Sequence, residues 1–373
     1  MLSWILAASL AVAAADQSPR AEPLAAPPQA PPEALIQPPS PDRVLAIPPE
    51  LEARAITRVT GAGRSQQRRL ERLVEFMFAP EPKGLGMTYD TDATHTVEEA
   101  YRTRKANCLG FTLMVVALAR AAGLEAYGQE IDHAFSWQQE NGILFQYSHI
   151  NAGIRIGMQR FTADVASDSV IAAGPPKRIP DRRLLSNYYS NRAVELLAHD
   201  QPALTASYIE AALAQDPDNV SAWNNAGVVA MRSGDAAGAE RRYARALQLD
   251  REHGGALANM YSLYRQSGDK VRAERFRERI EQARLHDPFH YFTRALAHEQ
   301  RGEYRAAIRQ YRHAIKLLDS EHHFHFGLAR AYLHLGDARR ADAALRRAHE
   351  LGEGTARDRY QAKLEILKRQ YGQ

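Results

Sequence analysis

One cysteine, Cys108, stands in 373 residues, so no internal disulfide can hold this chain together. Charge of one sign is also missing: 48 Lys and Arg against 44 Asp and Glu leave a net +4. The arginines are spread along helical stretches beside acids, and no basic stripe with interleaved aromatics marks a nucleic-acid partner. Long apolar runs are short of what a bilayer requires. The longest, Leu2 to Ala15, falls below the ~20 residues of a spanning helix, so no integral membrane domain is expected. That run ends in Ala13-Ala14-Ala15, a small-residue cleavage pattern, and reads as a signal peptide over residues 1–15. It lacks a basic n-region and a lipobox cysteine. A lone thiol in an exported chain has no structural partner, which turns attention to reactivity.

Residues 16–50 are rich in Pro and Ala and read as an extended, semi-rigid linker, because repeated proline fixes φ and removes backbone donors. Residues 51–181 mix periods. Leu70, Leu73, Val74 and Met77 recur at helical spacing, and Thr96 with Glu99 has capping-box spacing at the start of another helix. Cys108 opens a run that is apolar all round, from Leu109 to Ala119, and Gly123 supplies a helix stop. Strand-like runs follow: EAYGQEI, AFSWQQ, GILFQYSHINAGIRI and QRFTADVAS. Helices followed by antiparallel strands predict an α+β domain.

From residue 186 onward the chain is helical and periodic. Gly234, Gly268, Gly302 and Gly336 stand 34 residues apart, and Ala239, Ala273, Ala307 and Ala341 keep the same step. Trp223, Gly227, Ala239, Tyr243 and Ala246 occupy signature positions of the 34-residue tetratricopeptide unit, and Ala212 and Pro217 belong to a weaker earlier copy. Five repeats over residues 186–355 are expected, starting near 186, 220, 254, 288 and 322. Residues 356–373 then form a capping helix with a polar outer face.

The thiol of Cys108 lies at a helix N-terminus, where unpaired N–H groups favour a thiolate by only about 0.3–1 kcal/mol. A histidine is needed beside it. His149 sits in a strand-like run in which Phe145, Tyr147, His149, Asn151 and Gly153 alternate onto one face. A turn at Gly157-Met158 pairs Ile156 with Gln159, so Asn151 faces Asp164 and Asp164 lies one diagonal step from His149. In that register the carboxylate orients the imidazole, and the imidazole activates the thiol. A lone cysteine before an apolar helix also reads as a small buried hydrophobe; the joint order of the three residues favours the triad.

The order Cys at a helix start, then His and Asp on successive strands, resembles the bacterial transglutaminase-like superfamily of papain-like fold. NCLGFTLMVVALARAAGLEAYGQEI, SHINAGI and FTADV carry the likeness, over about a fifth of the chain. The resemblance implies a papain-like, transglutaminase-like α+β domain followed by an all-α solenoid. It implies Cys108 as nucleophile, His149 as acid-base and Asp164 as orienting carboxylate, with attack on an amide carbonyl to form a thioester. The backbone N–H of Cys108 offers one oxyanion donor, and Asn107, Tyr101 and Trp137 are candidates for the second or for the substrate groove. The expectation is an exported cysteine enzyme of the bacterial periplasm, or a tethered one if the leader is uncleaved. Its repeats would hold a protein or peptide substrate or partner. The alternative is a catalytically silent scaffold for protein interaction. No cofactor is expected. His322, His323 and His325 cluster, but no further ligand stands at helical spacing, so no metal is expected either.

Overall fold

The computed structural model describes residues 4–5, 37–63, 65–131, 135–140, 143–146, 149–165, 170–171, 176–199, 201–352 and 354–371. Apart from Trp4–Ile5, the expected signal peptide and the linker up to residue 36 lie outside the described residues.

The remainder of the expected linker is folded onto the core. Prolines at helix starts explain this: Pro41 opens α1 (Pro41–Val44) and Pro49 opens α2 (Pro49–Val59), positions where a missing N–H costs nothing. Val44 is fully buried, and Pro39 O accepts a 2.7 Å hydrogen bond from the Tyr189 hydroxyl. A 3₁₀ turn (Thr60–Ala62) leads to α3 (Gln66–Phe78), whose Leu70, Leu73 and Met77 are buried as their spacing predicts.

Trp4–Ile5 is β1, and a short parallel pair, β2 (Thr88–Tyr89) with β3 (Lys105–Ala106), flanks α4 (Val97–Thr103). Thr96 and Glu99 close the capping box of α4. Next comes α5 (Cys108–Ala121), buried from Leu109 to Ala119. It lies against a sheet ordered β1-β8-β7-β4-β10, with β4 at Glu125–Ile131, β7 at His149–Ile156, β8 at Gln159–Ala163 and β10 at Lys177–Arg178. Ala126, Ile150, Ala152, Ile154 and Phe161 share one hydrophobic core with α5.

The run from Gly142 to Ile156, expected as one strand, divides. β6 (Ile143–Gln146) pairs with β5 (Phe135–Glu140) in a second sheet completed by β9 (Val170–Ile171), whereas β7 pairs with β4. Phe145 therefore belongs to a different sheet from His149 and Asn151, because each half found a different partner strand. Tyr147 lies outside the described residues.

Ten helices then form five antiparallel pairs: α6 (Asp181–Ala198) with α7 (Pro202–Gln215), α8 (Val220–Arg232) with α9 (Ala236–Leu249), α10 (Gly254–Gln266) with α11 (Lys270–Leu285), α12 (Pro288–Gln300) with α13 (Tyr304–Leu317), and α14 (His322–His334) with α15 (Ala338–Leu351). The periodic glycines have one job. Gly234, Gly268, Gly302 and Gly336 hold φ of 79°, 78°, 73° and 76° at the turn inside four of the pairs, a left-handed conformation that glycine adopts without a Cβ penalty. The final helix, α16 (Gly354–Tyr371), buries Tyr360, Leu364 and Leu367 against the array, as a capping helix must.

The expected boundary between residues 181 and 186 is not a joint. α6 runs unbroken from Asp181, and its Leu184, Leu185, Tyr188 and Tyr189 belong to the same core as α5 and the sheet. Arg120 holds Asp181 through a bidentate pair of 2.7 and 2.8 Å, and Glu195 accepts from the Thr94 N–H at 3.1 Å. The first repeat is thus built into the α+β head.

Candidate functional site

Cys108 is the first residue of α5 and half-buried. Its position is set by Asn107, the N-cap. Asn107 Oδ1 accepts from the Gly110 N–H at 3.0 Å, and its Nδ2 donates to Thr94 Oγ1 at 2.7 Å. One side chain satisfies an orphan donor of the helix and pins the preceding loop. The amide of Asn107 is thereby committed to the cap and to Thr94.

His149 opens β7, 6% exposed. Its Nε2 lies 2.9 and 2.8 Å from the two oxygens of Asp164, the residue after β8. The hairpin register is the one the sequence predicts, Ile156 against Gln159 through Ala152 against Ala163, which continues to Asn151 beside Asp164. With Nε2 held by the carboxylate, Nδ1 is the nitrogen left for Cys108, which lies close enough to raise the imidazole. Cys108, His149 and Asp164 are therefore brought together from one helix and two strands.

Burial alone would push the imidazole of His149 down. The hydrogen bond donated to Asp164, the contact with Cys108 and the charges of both outweigh burial and raise it to about 10. The ring therefore holds its proton through the neutral range. The raised pKa has a consequence for stability. Relative to an unfolded histidine near 6.5, the interaction stabilises the fold fully below that pH and is lost as pH rises through about 10. The excess thermal stability of the native protein over His149→Gln is expected to shrink between those pH values. A difference that stays constant with pH contradicts the charged pair.

Two site residues were not singled out by sequence. Asn151 donates from Nδ2 to Asp164 Oδ2 at 3.0 Å, bracing the carboxylate that holds the imidazole. Its alternation with His149 on β7 was a usable signal. Tyr89 approaches from β2, where it pairs with Ala106. Desolvation first, and then the charges of Cys108 and Asp164, push its phenol up, with the Cys108 backbone acting against them. No sequence period announces a contact made by a two-residue strand. Tyr101 is engaged elsewhere, lying 4.3 Å beneath the Arg104 guanidinium. Trp137 is on β5, and its side chain lies outside the described residues.

Glu321, His322 and His323 gather at the start of α14 with ligand-type atoms within 4.8 Å of one another. His322 Nδ1 is bonded to the Tyr360 hydroxyl at 2.9 Å and His323 Nδ1 to Glu321 Oε1 at 2.7 Å. Burial, then the neighbouring His323, lowers His322 to about 4, so it is a neutral link between the last repeat and α16. His325 is turned the other way, to Asp319 O at 2.9 Å.

The first helices of the early repeats carry a polar track. Asn225 Nδ2 donates to Ser190 Oγ at 2.9 Å, and Asn259 Nδ2 donates to Asn224 Oδ1 at 2.9 Å, tying α6 to α8 and α8 to α10.

The family model for tetratricopeptide repeats matches residues 191–255 and 292–354. Among solved structures, the Cut9–Hcn1 hetero-tetramer of APC/C is similar at 14% identity over 50% of this chain and 37% of that one, with a TM-score of 0.28. MamA (41 to end) from Desulfovibrio magneticus RS-1 is similar at 16% identity over 50% of this chain and 97% of its own, TM-score 0.25. YrrB, a tetratricopeptide protein with an unusual peptide-binding site, is similar at 16% identity over 48% and 92%, TM-score 0.25. No curated protein matches the chain. The C-terminal region is an all-helical tetratricopeptide solenoid, and among the described residues no helix is long and apolar enough to cross a membrane.

Proposed function

We propose that this chain is a tetratricopeptide scaffold that binds a protein or an extended peptide along its repeats. The matched repeat family carries the reading, and the Ser190–Asn225 and Asn224–Asn259 track supports it. Side-chain amides offer a donor and an acceptor each, which is what a peptide backbone presents in return. YrrB, of similar repeat fold, is itself a peptide binder. The test is selection from a displayed random-peptide library against the native protein. Enriched peptides are expected to bind Asn224→Ala/Asn259→Ala about tenfold more weakly, the worth of roughly one or two neutral hydrogen bonds. No enrichment, or binding indifferent to both asparagines, removes the reading.

A second reading is favoured by one specific observation, the His149–Asp164 pair of 2.8–2.9 Å beside Cys108. In it the head is a transglutaminase-like domain of papain-like fold, exported to the periplasm, and the scaffold delivers its partner to thiol chemistry on an amide bond. The Cys108 thiolate, beside an imidazolium, attacks the carbonyl carbon. His149 then gives its proton to the departing nitrogen, leaving a thioester that water or an amine resolves. Asp164, braced by Asn151, keeps Nε2 occupied and Nδ1 turned to the sulfur. A bound partner raises the local concentration of the scissile group without altering the chemistry. Alkylation of Cys108 across pH, with and without His149, tests this part separately from peptide binding.

A further inference from the structure

Between α3, α5 and β8 runs a narrow crevice that reaches Cys108 and Asp164. Its floor is buried core, with Leu73, Met77 and Phe161 among its walls. Half-buried apolar side chains, Val74, Phe78 and Val165, form the rim. Asp164 is the one charged residue lining it among the described residues.

The polar atoms along the walls are largely committed. Thr112 Oγ1 lies 2.7 Å from Cys108 O and 3.3 Å from Ile150 O. Thr162 Oγ1 donates to Gln129 Oε1 at 3.3 Å, and Asn151 Nδ2 to Asp164. Asn151 Oδ1 is buried without a hydrogen-bond partner, and as an acceptor it offers nothing to a carboxylate. A carboxylate entering this space would lose its water, gain no donor and meet the like charge of Asp164. An apolar group loses nothing and is worth about fourfold per buried methylene.

We propose that this crevice receives the acyl part of the substrate, so that the group carried on Cys108 as a thioester is an apolar chain or ring. The assignment rests on the thiol-chemistry reading above and names its substrate class. The chemical step is balanced by that reading: a carbon–sulfur bond forms at the carbonyl, the bond to the leaving nitrogen or oxygen breaks, and water later releases the acyl group as a carboxylic acid. The carboxylate of a γ-glutamyl donor would meet no donor on these walls.

The test uses the full chain with activated esters, p-nitrophenyl hexanoate against the p-nitrophenyl monoester of succinic acid. Hexanoylation of Cys108, followed by mass and by nitrophenolate release, is expected to be at least about tenfold faster, the worth of two buried methylenes. Val74→Glu, at the rim, should bring the ratio near one, and its iodoacetamide alkylation at pH 6 reports whether the thiol itself is disturbed. Equal rates for the two esters in a protein whose thiol is activated by His149 overturn the crevice assignment alone. If His149→Ala has no effect on alkylation, the thiol-chemistry reading falls and the assignment with it. If Val74→Glu slows alkylation as well, the ester ratio is read from Val74→Thr, which keeps the volume and adds one hydroxyl. An undiminished preference in Val74→Thr overturns the assignment.

Discussion

At pH 6 the His149→Ala protein is expected to react with iodoacetamide on the order of tenfold more slowly than the native protein. A free thiol titrates near 8.5, so less than about one per cent is thiolate at pH 6. An imidazolium held beside a sulfur favours the thiolate, as in paired Cys–His sites. The gain is partly offset, because a less basic thiolate is a weaker nucleophile, with a Brønsted slope of about 0.4–0.5. The profile separates the cases better than one rate. From pH 6 to 8 the His149→Ala rate should climb by nearly a hundredfold, as an isolated thiol does, while the native rate changes by less than about threefold. Asp164→Asn should fall between them, since it keeps the hydrogen bond to Nε2 and removes the charge that, with the bond, raises the imidazole. Cys108 is the only thiol, so every alkylation event is read at one site. A native profile that rises like the His149→Ala profile eliminates an activated pair.

Gly227→Val is expected to destabilise the repeat array by about 3 kcal/mol, although glycine within a helix is ordinarily a weak point. A Cβ at Gly227 would stand 2.3 Å from Cε1 of Tyr243, closer than any side chain tolerates. Tyr243 is itself 3% exposed, packed with Ala239 and Ala246, so its ring has no room to retreat. Denaturant unfolding with Tyr243→Ala as a second variant makes the claim specific. Tyr243→Ala alone costs about 3–5 kcal/mol by leaving a cavity. Gly227→Val added to it should cost much less than it does alone, because the valine enters that cavity. Additive losses would refute the close approach as the cause. A Cβ at Gly327 would likewise stand 2.4 Å from Cε1 of Tyr311, on the preceding helix, so the rule is local to each aromatic and its glycine.

The sequence by itself determined what is periodic or adjacent. The 34-residue step of Gly234, Gly268, Gly302 and Gly336 is legible because each glycine answers the same local need, a positive φ between two helices. The capping box at Thr96 and Glu99 closes within one helical turn. The juxtaposition of His149 and Asp164 was readable for a similar reason. A hairpin's register follows from its turn, and Gly157, at φ 58°, sets that turn. Only the tertiary structure decided contacts between segments far apart in the chain. Pro39 is held by Tyr189, 150 residues away, which converts the end of a supposed linker into part of the core. The split of Gly142–Ile156 into two sheets depended on which partner strand each half met, and alternation is the same in either case. The fusion of α6 with the head and the placing of Tyr89 against Cys108 are of the same kind. So is the apolar crevice between α3 and β8. Burial depends on what lies opposite, and a residue's own period states which face it turns inward but not what that face will meet.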